Sequence, residues 1–81
     1  MKGCIKHFVD NQLVKENVIN DISQFEAFVM NYFDTLASDY YETNDIEIFL
    51  NLNDQIALIE YVDYNDHTND YMERFELYPL D

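Results

Sequence analysis

The stretch that decides the fold is IEIFLNLNDQIALIEYVD, residues 46–63. Residues 46–52 alternate between apolar and mostly polar side chains, with the period of two that is typical of a half-buried strand. Asn53-Asp54 predicts a two-residue turn, because both residue types tolerate a positive φ. A second strand then runs over 55–64, so this stretch predicts an antiparallel hairpin.

The predicted turn also fixes a register between the two strands. On one face it pairs apolar residues throughout, namely Leu50 with Ala57, Ile48 with Ile59 and Ile46 with Tyr61. On the other face it places Glu47 directly opposite Glu60. Like charges directly opposite each other destabilise a sheet. A retained Glu47–Glu60 pair would therefore indicate a surface that meets a cationic partner.

Upstream of this hairpin, the apolar residues fall on one face of a helix. They follow the spacing i, i+3, i+4, i+7, and they are Phe25, Phe28, Val29, Tyr32, Phe33 and Leu36. Ser23 and Glu26 match a capping box, with Asp21 as a competing N-cap. An amphipathic helix over about 22–37 is predicted, and its aromatic stripe has the spacing of a packed core face.

A short hairpin is predicted near the N-terminus. Residues 4–9 alternate loosely between apolar and polar side chains. Asp10-Asn11 separates them from a second apolar piece around Leu13 and Val14, which is the pattern of two strands joined by a turn.

A last strand is predicted over about 71–78, after a polar loop at 66–70. Pro79 ends this strand because proline cannot donate to a sheet hydrogen bond. The residues expected to point inward are Tyr71, Phe75 and Leu77. The fold class is therefore α+β, with a short N-terminal hairpin, one amphipathic helix, and a three-stranded antiparallel meander packed on the helix.

Length and composition define one small acidic domain over residues 1–81. A chain of 81 residues buries only ~60–65% of its unfolded surface, which leaves room for one core. One glycine in the whole chain excludes a glycine-rich phosphate loop. Apolar runs are too short to span a membrane. The first residues lack the apolar segment of a signal peptide, and the single cysteine, Cys4, fits a reducing cytosol.

The charge is strongly one-sided. Lys and Arg together number 4 against 17 Asp and Glu, which gives a formal net charge of −13. No Lys or Arg occurs between Glu16 and Glu73. Such a surface repels nucleic acids and anionic membranes, so neither is expected as a direct partner. Two explanations stay open at this point: a basic protein partner, or acidity that serves solubility alone.

Catalytic and metal-binding patterns are weak. The two histidines, His7 and His67, lie far apart in sequence, and no serine or cysteine stands in a nucleophile-elbow context. Residues 63–70 are rich in oxygen ligands, but counting an EF-hand from Asp63 or from Asp66 misplaces the required glycine and glutamate. The sequence predicts no enzyme, no cofactor and no metal site. A loose surface cation site in this loop stays an alternative.

An acidic surface interspersed with tyrosines is the predicted binding site. Acids on alternate strand positions are ~6.6 Å apart and form a regular row of negative charge that stands in for phosphates. Tyrosines add rigid contact area, although Tyr40 and Tyr41 would equally close the end of the helix against the sheet. The predicted partner-binding residues are Asp39, Tyr40, Tyr41, Glu42, Asp45, Glu47, Glu60, Asp63, Asp66 and Asp70.

In size, charge and lack of catalytic residues the chain resembles the phage and plasmid inhibitors that mimic nucleic acid. These include anti-restriction proteins, uracil-DNA glycosylase inhibitors and several anti-CRISPR proteins. The resemblance implies a DNA mimic in the cytoplasm of a bacterial host cell, which binds the basic surface of a nuclease or CRISPR effector complex. It would act as a monomer or as a weak homodimer, formed through an edge strand such as 71–78.

A second resemblance is to immunity proteins that neutralise nuclease or deaminase toxins. The two strands at 46–53 and 56–63 are similar in style to one such family. This resemblance implies a cationic toxin as the partner. A third hypothesis, an adaptor domain whose acidity is only solubility, predicts that neutralising the acids leaves function unchanged.

Overall fold

The structure is a computed structural model that describes residues 1–40 and 43–80. It contains a five-stranded antiparallel sheet and one α-helix, α1, over Phe25–Asp39. The strands are β1 (Gly3–Val9), β2 (Gln12–Ile19), β3 (Ile46–Leu52), β4 (Ile56–Asp63) and β5 (Tyr71–Pro79). Short 3-10 turns at Ile22–Gln24 and His67–Asn69 precede α1 and β5. The predicted α+β class is confirmed.

The arrangement of the strands differs from the prediction. The strand order is β2-β1-β5-β4-β3, so the N-terminal hairpin and the meander are one continuous sheet. β1 pairs with β5, with Ile5 opposite Leu77 and His7 opposite Phe75. Local patterns cannot show this pairing, because it joins residues about seventy positions apart. It also corrects the expected dimer edge: β5 lies at the centre of the sheet, and the edges are β2 and β3.

The turn of the first hairpin follows directly from its residues. Asp10 and Asn11 have φ values of 48° and 68°, in the left-handed region that a two-residue hairpin turn requires. The turn is tied to the neighbouring strand, because Met72 N–H donates to Asp10 Oδ1 (3.1 Å) and Asp10 N–H donates to Met72 O (2.9 Å). The strand after this turn, β2, runs to Ile19, beyond the apolar residues Leu13 and Val14 from which it was predicted.

The register between β3 and β4 was predicted wrongly. The central turn residues are Asp54 and Gln55, because Asn53 pairs with Ile56 and its Oδ1 accepts from both Gln55 N–H (2.9 Å) and Ile56 N–H (2.8 Å). The observed pairs include Leu52 with Ala57, Leu50 with Ile59, Ile48 with Tyr61, Phe49 with Glu60 and Glu47 with Val62. Glu47 and Glu60 are therefore not opposite each other. A shift of two residues preserves the faces, so both still point away from α1.

Asp21, rather than Ser23, caps the start of the helical segment. Its Oδ1 accepts from Ser23 N–H (2.9 Å), and Gln24 Oε1 accepts from Asp21 N–H (3.4 Å), which completes a capping box. The backbone N–H and then the side chain of Ser23, helped by the N-terminal ammonium of Met1, lower the pKa of Asp21 from 3.8 to about 2. The predicted capping box of Ser23 and Glu26 is therefore wrong, and the competing N-cap, Asp21, is the one observed.

The core lies between α1 and one face of the sheet. It is formed by Ile5, Ile19, Phe25, Val29, Ala57, Ile59, Phe75 and Leu77. Each of these side chains except that of Ala57 contributes about 1.5–3 kcal/mol when fully buried. Gly3 allows close packing at its edge, since a Cβ there would lie 2.9 Å from Leu77 Cδ1 and 3.1 Å from Ile22 Cγ2.

Candidate functional site

The predicted binding residues separate into two surfaces. Most of the acids lie at one end of the sheet, in loops or at the last residue of α1 or β4. These are Asp39, Asp45, Asp63, Asp66 and Asp70, and we call the last four the acidic end. Glu47 and Glu60 lie instead on the sheet face that points away from α1. Tyr41 and Glu42 fall outside the described residues.

The carboxylates of the acidic end are held in place by their own loop. Asp63 Oδ1 accepts from the N–H groups of Asn65 (3.0 Å) and Asp66 (3.2 Å), and Oδ2 accepts from the Asn69 side-chain amide (3.1 Å). The Asn69 amide, followed by these backbone groups, lowers the pKa of Asp63. Asp70 Oδ1 accepts from Asp63 N–H (2.7 Å), which is the main cause of a lowered pKa of Asp70.

Two further contacts complete this loop. Asp66 Oδ1 accepts from both the N–H (3.0 Å) and the hydroxyl (2.6 Å) of Thr68 and so caps the second 3-10 turn. Asp45, on the neighbouring loop, accepts from the Asn65 side-chain amide at 2.6 Å. Several exposed carboxylates from two loops are therefore fixed relative to one another. In the part of the chain that the structure describes, no three His, Cys, Asp or Glu converge as metal ligands.

Tyr40 closes the C-terminal end of α1 against the sheet. Its ring meets Tyr61 edge-on with centroids 5.0 Å apart, and Tyr61 stacks on Tyr71 at 4.7 Å. Burial is the main cause that raises the pKa of Tyr61 and raises that of Tyr71 to about 12. Of the two roles considered for Tyr40, the geometry shows the packing role.

The sheet face opposite α1 is open and unusually apolar. Among residues 1–40 and 43–80, no helix or strand covers it. Exposed apolar side chains on it include Val18 (67%), Tyr78 (44%), Phe49 (42%) and Ile56 (41%). Leu58 lies next to Ile56 on this face of β4, and Val62 and Met72 lie nearer the acidic end; all three are partly buried. These seven residues define the open face. An antiparallel sheet that faces water normally presents polar residues there, so this face is an exception.

Lys6 and Arg74, the cations that β1 and β5 present on this side, are already engaged. Lys6 Nζ lies 4.8 Å from the Tyr78 ring centroid and 3.8 Å from Glu16 Oε1. Arg74 stacks over Phe8 at 4.4 Å, while its Nε donates to Glu76 Oε2 (2.9 Å) and its Nη1 to Asn11 Oδ1 (2.7 Å).

The two acids on this side that were predicted to bind a partner have carboxylates without such contacts among the described residues. Their backbones pair within the sheet, but the carboxylates of Glu47 and Glu60 form no hydrogen bond or ion pair with any described residue. They flank the exposed Phe49, because Glu60 is its cross-strand partner and Glu47 lies two positions away on the same strand. The β3–β4 half of this side therefore carries uncompensated negative charge.

A buried polar cluster beneath α1 was missed by the sequence reasoning. Glu73 is 3% exposed, and its Oε1 is 2.7 Å from His7 Nε2 and accepts from the Tyr32 hydroxyl at 2.5 Å. Its other oxygen, Oε2, is buried and has no hydrogen-bond partner among residues 1–40 and 43–80. His7 stacks on Phe75 with centroids 4.3 Å apart. The sequence did contain the signal: Glu73 lies midway between Tyr71 and Phe75, which were both predicted to point inward.

No helix in the described part of the chain is long and apolar enough to cross a membrane. Comparison of the chain with protein-family models, with curated proteins and with solved structures gives no match.

Proposed function

We propose that this protein is a non-enzymatic inhibitor that binds the basic surface of a nucleic-acid-binding protein. A nuclease or CRISPR effector complex is the class of target, and carboxylates take the place of phosphates. The observation that carries this proposal is the acidic end, where Asp45, Asp63, Asp66 and Asp70 are fixed by hydrogen bonds within two adjoining loops.

Fixed carboxylates suit recognition of a cationic surface. A surface that binds phosphates presents Lys and Arg donors, and carboxylates accept charge-assisted hydrogen bonds from the same donors. Because the loop already holds these groups, little side-chain entropy is lost on binding. The net charge of −13 adds long-range attraction, which raises association rates with a partner of opposite sign.

The same hydrogen bonds argue against a role in proton transfer. Backbone and amide donors lower the pKa of Asp63 and of Asp70. A general base is most effective when its pKa lies near the working pH, so carboxylates shifted downward are poorly suited to that task. They are better suited to remaining charged at a binding surface.

The test is an affinity purification from a bacterial host lysate at low salt, followed by binding measurements on the partner that mass spectrometry identifies. The variant is Asp39→Asn, Asp45→Asn, Asp66→Asn, in which each Asn keeps an oxygen acceptor. The control, Glu26→Gln, Asp34→Asn, Asp54→Asn, changes the net charge equally on exposed residues elsewhere. We expect the first variant to weaken binding at least about tenfold and the control to have a much smaller effect.

Nucleic-acid competition completes this test. The identified partner should lose its DNA or RNA as this protein is added, and added salt should weaken the complex. Equal effects of the two triple variants, or a partner that keeps its nucleic acid throughout, would contradict the proposal. A cationic toxin as the partner would instead support the immunity-protein hypothesis.

A further inference from the structure

We infer that the open face of the sheet is a second docking surface, and that its occupant is a protein with apolar side chains bordered on one side by Lys or Arg. The inference rests on the proposed function only for the sign of the partner's charge. The contact area of this second surface comes from the residues of the open face, which are not those of the acidic end.

The apolar character of this face is the first argument. Phe49 and Ile56 are each about two-fifths exposed, and both lie on the half formed by β3 and β4. Ile56 lines a depression of about 160 Å³ together with Asn51, Leu52, Asn53 and Leu58. Contiguous exposed apolar surface on a folded domain typically marks an interaction site. Such a depression suits one apolar side chain of a partner.

The distribution of charge is the second argument. On the β1–β5 half, Lys6 and Arg74 are neutralised by Glu16 and Glu76. On the β3–β4 half, Glu47 and Glu60 lack such partners among the described residues. A complementary surface is therefore apolar in the middle and basic along the side that meets β3 and β4.

The open face is also continuous with the acidic end. A depression of about 290 Å³ is lined by Glu60, Val62 and Met72 from this side of the sheet, and by Asp10 and Asp70 from the turns at its end. One partner therefore reaches both surfaces without a gap. The acidic end supplies long-range attraction and the open face supplies desolvated contact area, an arrangement in which charge governs association and apolar contact governs dissociation.

A second copy of this chain fits the face less well than a basic protein. Each copy carries a formal charge of −13, so the net charges of two copies repel each other. A face-to-face dimer would also enclose Glu47 and Glu60 of both copies, and burying an unpaired carboxylate is costly.

The experiment uses the full chain and a defined probe. The probe is a synthetic amphipathic helical peptide with leucines on one face and lysines along one border; a scrambled peptide of the same composition is the control. We expect the amphipathic peptide to bind at least about tenfold more tightly than the scrambled one. Amide and methyl chemical shifts should move at Phe49, Ile56, Leu58, Val62 and Met72.

Variants then locate the contact. Phe49→Ser combined with Ile56→Ser should weaken peptide binding at least about tenfold. Met30→Ser on α1, where the side chain is 37% exposed, should leave it unchanged. Equal binding of the two peptides, or shifts confined to the acidic end, would overturn the inference. So would a homodimer in sedimentation that the Phe49 and Ile56 changes dissociate. None of these variants alters the residues used to test the proposed function.

Discussion

His7 on β1 and Glu73 on β5 contact each other through Nε2 and Oε1 at 2.7 Å, across 66 positions of sequence. Both side chains are buried, and the Tyr32 hydroxyl of α1 donates to the same oxygen. One carboxylate oxygen thus joins the first strand, the last strand and the helix. Since buried polar groups are costly when unpaired, each member of this cluster depends on the other two.

Removal of this carboxylate should be severely destabilising. Glu73→Ala leaves His7 and the Tyr32 hydroxyl without a buried partner, and we expect a loss of about 3–5 kcal/mol in the free energy of unfolding. Tyr32→Phe removes one hydrogen bond and should cost about 1–3 kcal/mol. Denaturant unfolding measures both. Glu47→Ala, on the exposed face, is the control and should change stability by less than about 0.5 kcal/mol. Equal losses for Glu73→Ala and Glu47→Ala would show that the buried cluster does not stabilise the fold.

Acid titration should reveal the cap at Asp21. Its pKa is lowered from 3.8 to about 2, so its stabilising effect is present above pH 3.8 and is lost as the pH falls toward 2. Asp21→Asn keeps an N-cap acceptor but cannot titrate, and its stability should vary less over that range. Carboxyl chemical shifts followed by NMR give the pKa directly. An ordinary value for Asp21 would contradict the observed capping geometry.

Alkaline titration should reveal the tyrosines packed beside α1. Burial raises the pKa of Tyr71 from 10.0 to about 12, and Tyr32 shifts in the same direction. A raised folded-state pKa means that the stability is fully present below pH 10 and declines as the pH rises toward 12. The absorbance of tyrosinate in the folded protein should therefore reveal tyrosines that ionise at a pH above the ordinary pKa of 10.0. Tyr71→Phe should remove part of this high-pH absorbance change.

The second hairpin turn offers a test of the observed register. Asn53→Ala removes the acceptor for the N–H groups of Gln55 and Ile56, and it should cost about 1 kcal/mol. Asn53→Asp keeps an oxygen acceptor at the same place and should retain most of the stability. Cross-strand contacts measured by NMR should pair Phe49 with Glu60 in the native protein. Contacts between Glu47 and Glu60 as direct partners would restore the register first predicted from sequence.

The sequence correctly predicted those elements that are determined by residues close together in the chain. Periodicity gave the helix, and the Asp10-Asn11 pair gave the first turn, because both depend on neighbouring residues alone. The β3–β4 register failed because the Asn53 side chain selects a turn one residue further on, and nothing in the apolar pattern distinguishes the two registers. Pairing of β1 with β5 could not be predicted from periods of two or 3.6, since it depends on residues distant in sequence.

The candidate site was predicted unevenly for similar reasons. The acids of residues 63–70 were identified from composition, but their fixed arrangement depends on amide donors such as Asn69. The open face was missed, although Ile56-Ala57-Leu58-Ile59 lacks the alternation of a strand with one wet face. Glu73 was missed because it was counted with the surface acids, although its place midway between Tyr71 and Phe75 puts it on the inward face of the strand.

The central position of β5 has a consequence for biosynthesis. A ribosome makes β5 after the other four strands, yet β5 is the strand that joins the two hairpins into one sheet. Until it emerges, β1 and β4 each present an unpaired edge, and the nascent chain holds two hairpins that lack their common neighbour. Folding of this protein should therefore be completed after β5 leaves the ribosome exit tunnel, and arrest of translation before Tyr71 should yield a chain prone to chaperone capture or degradation.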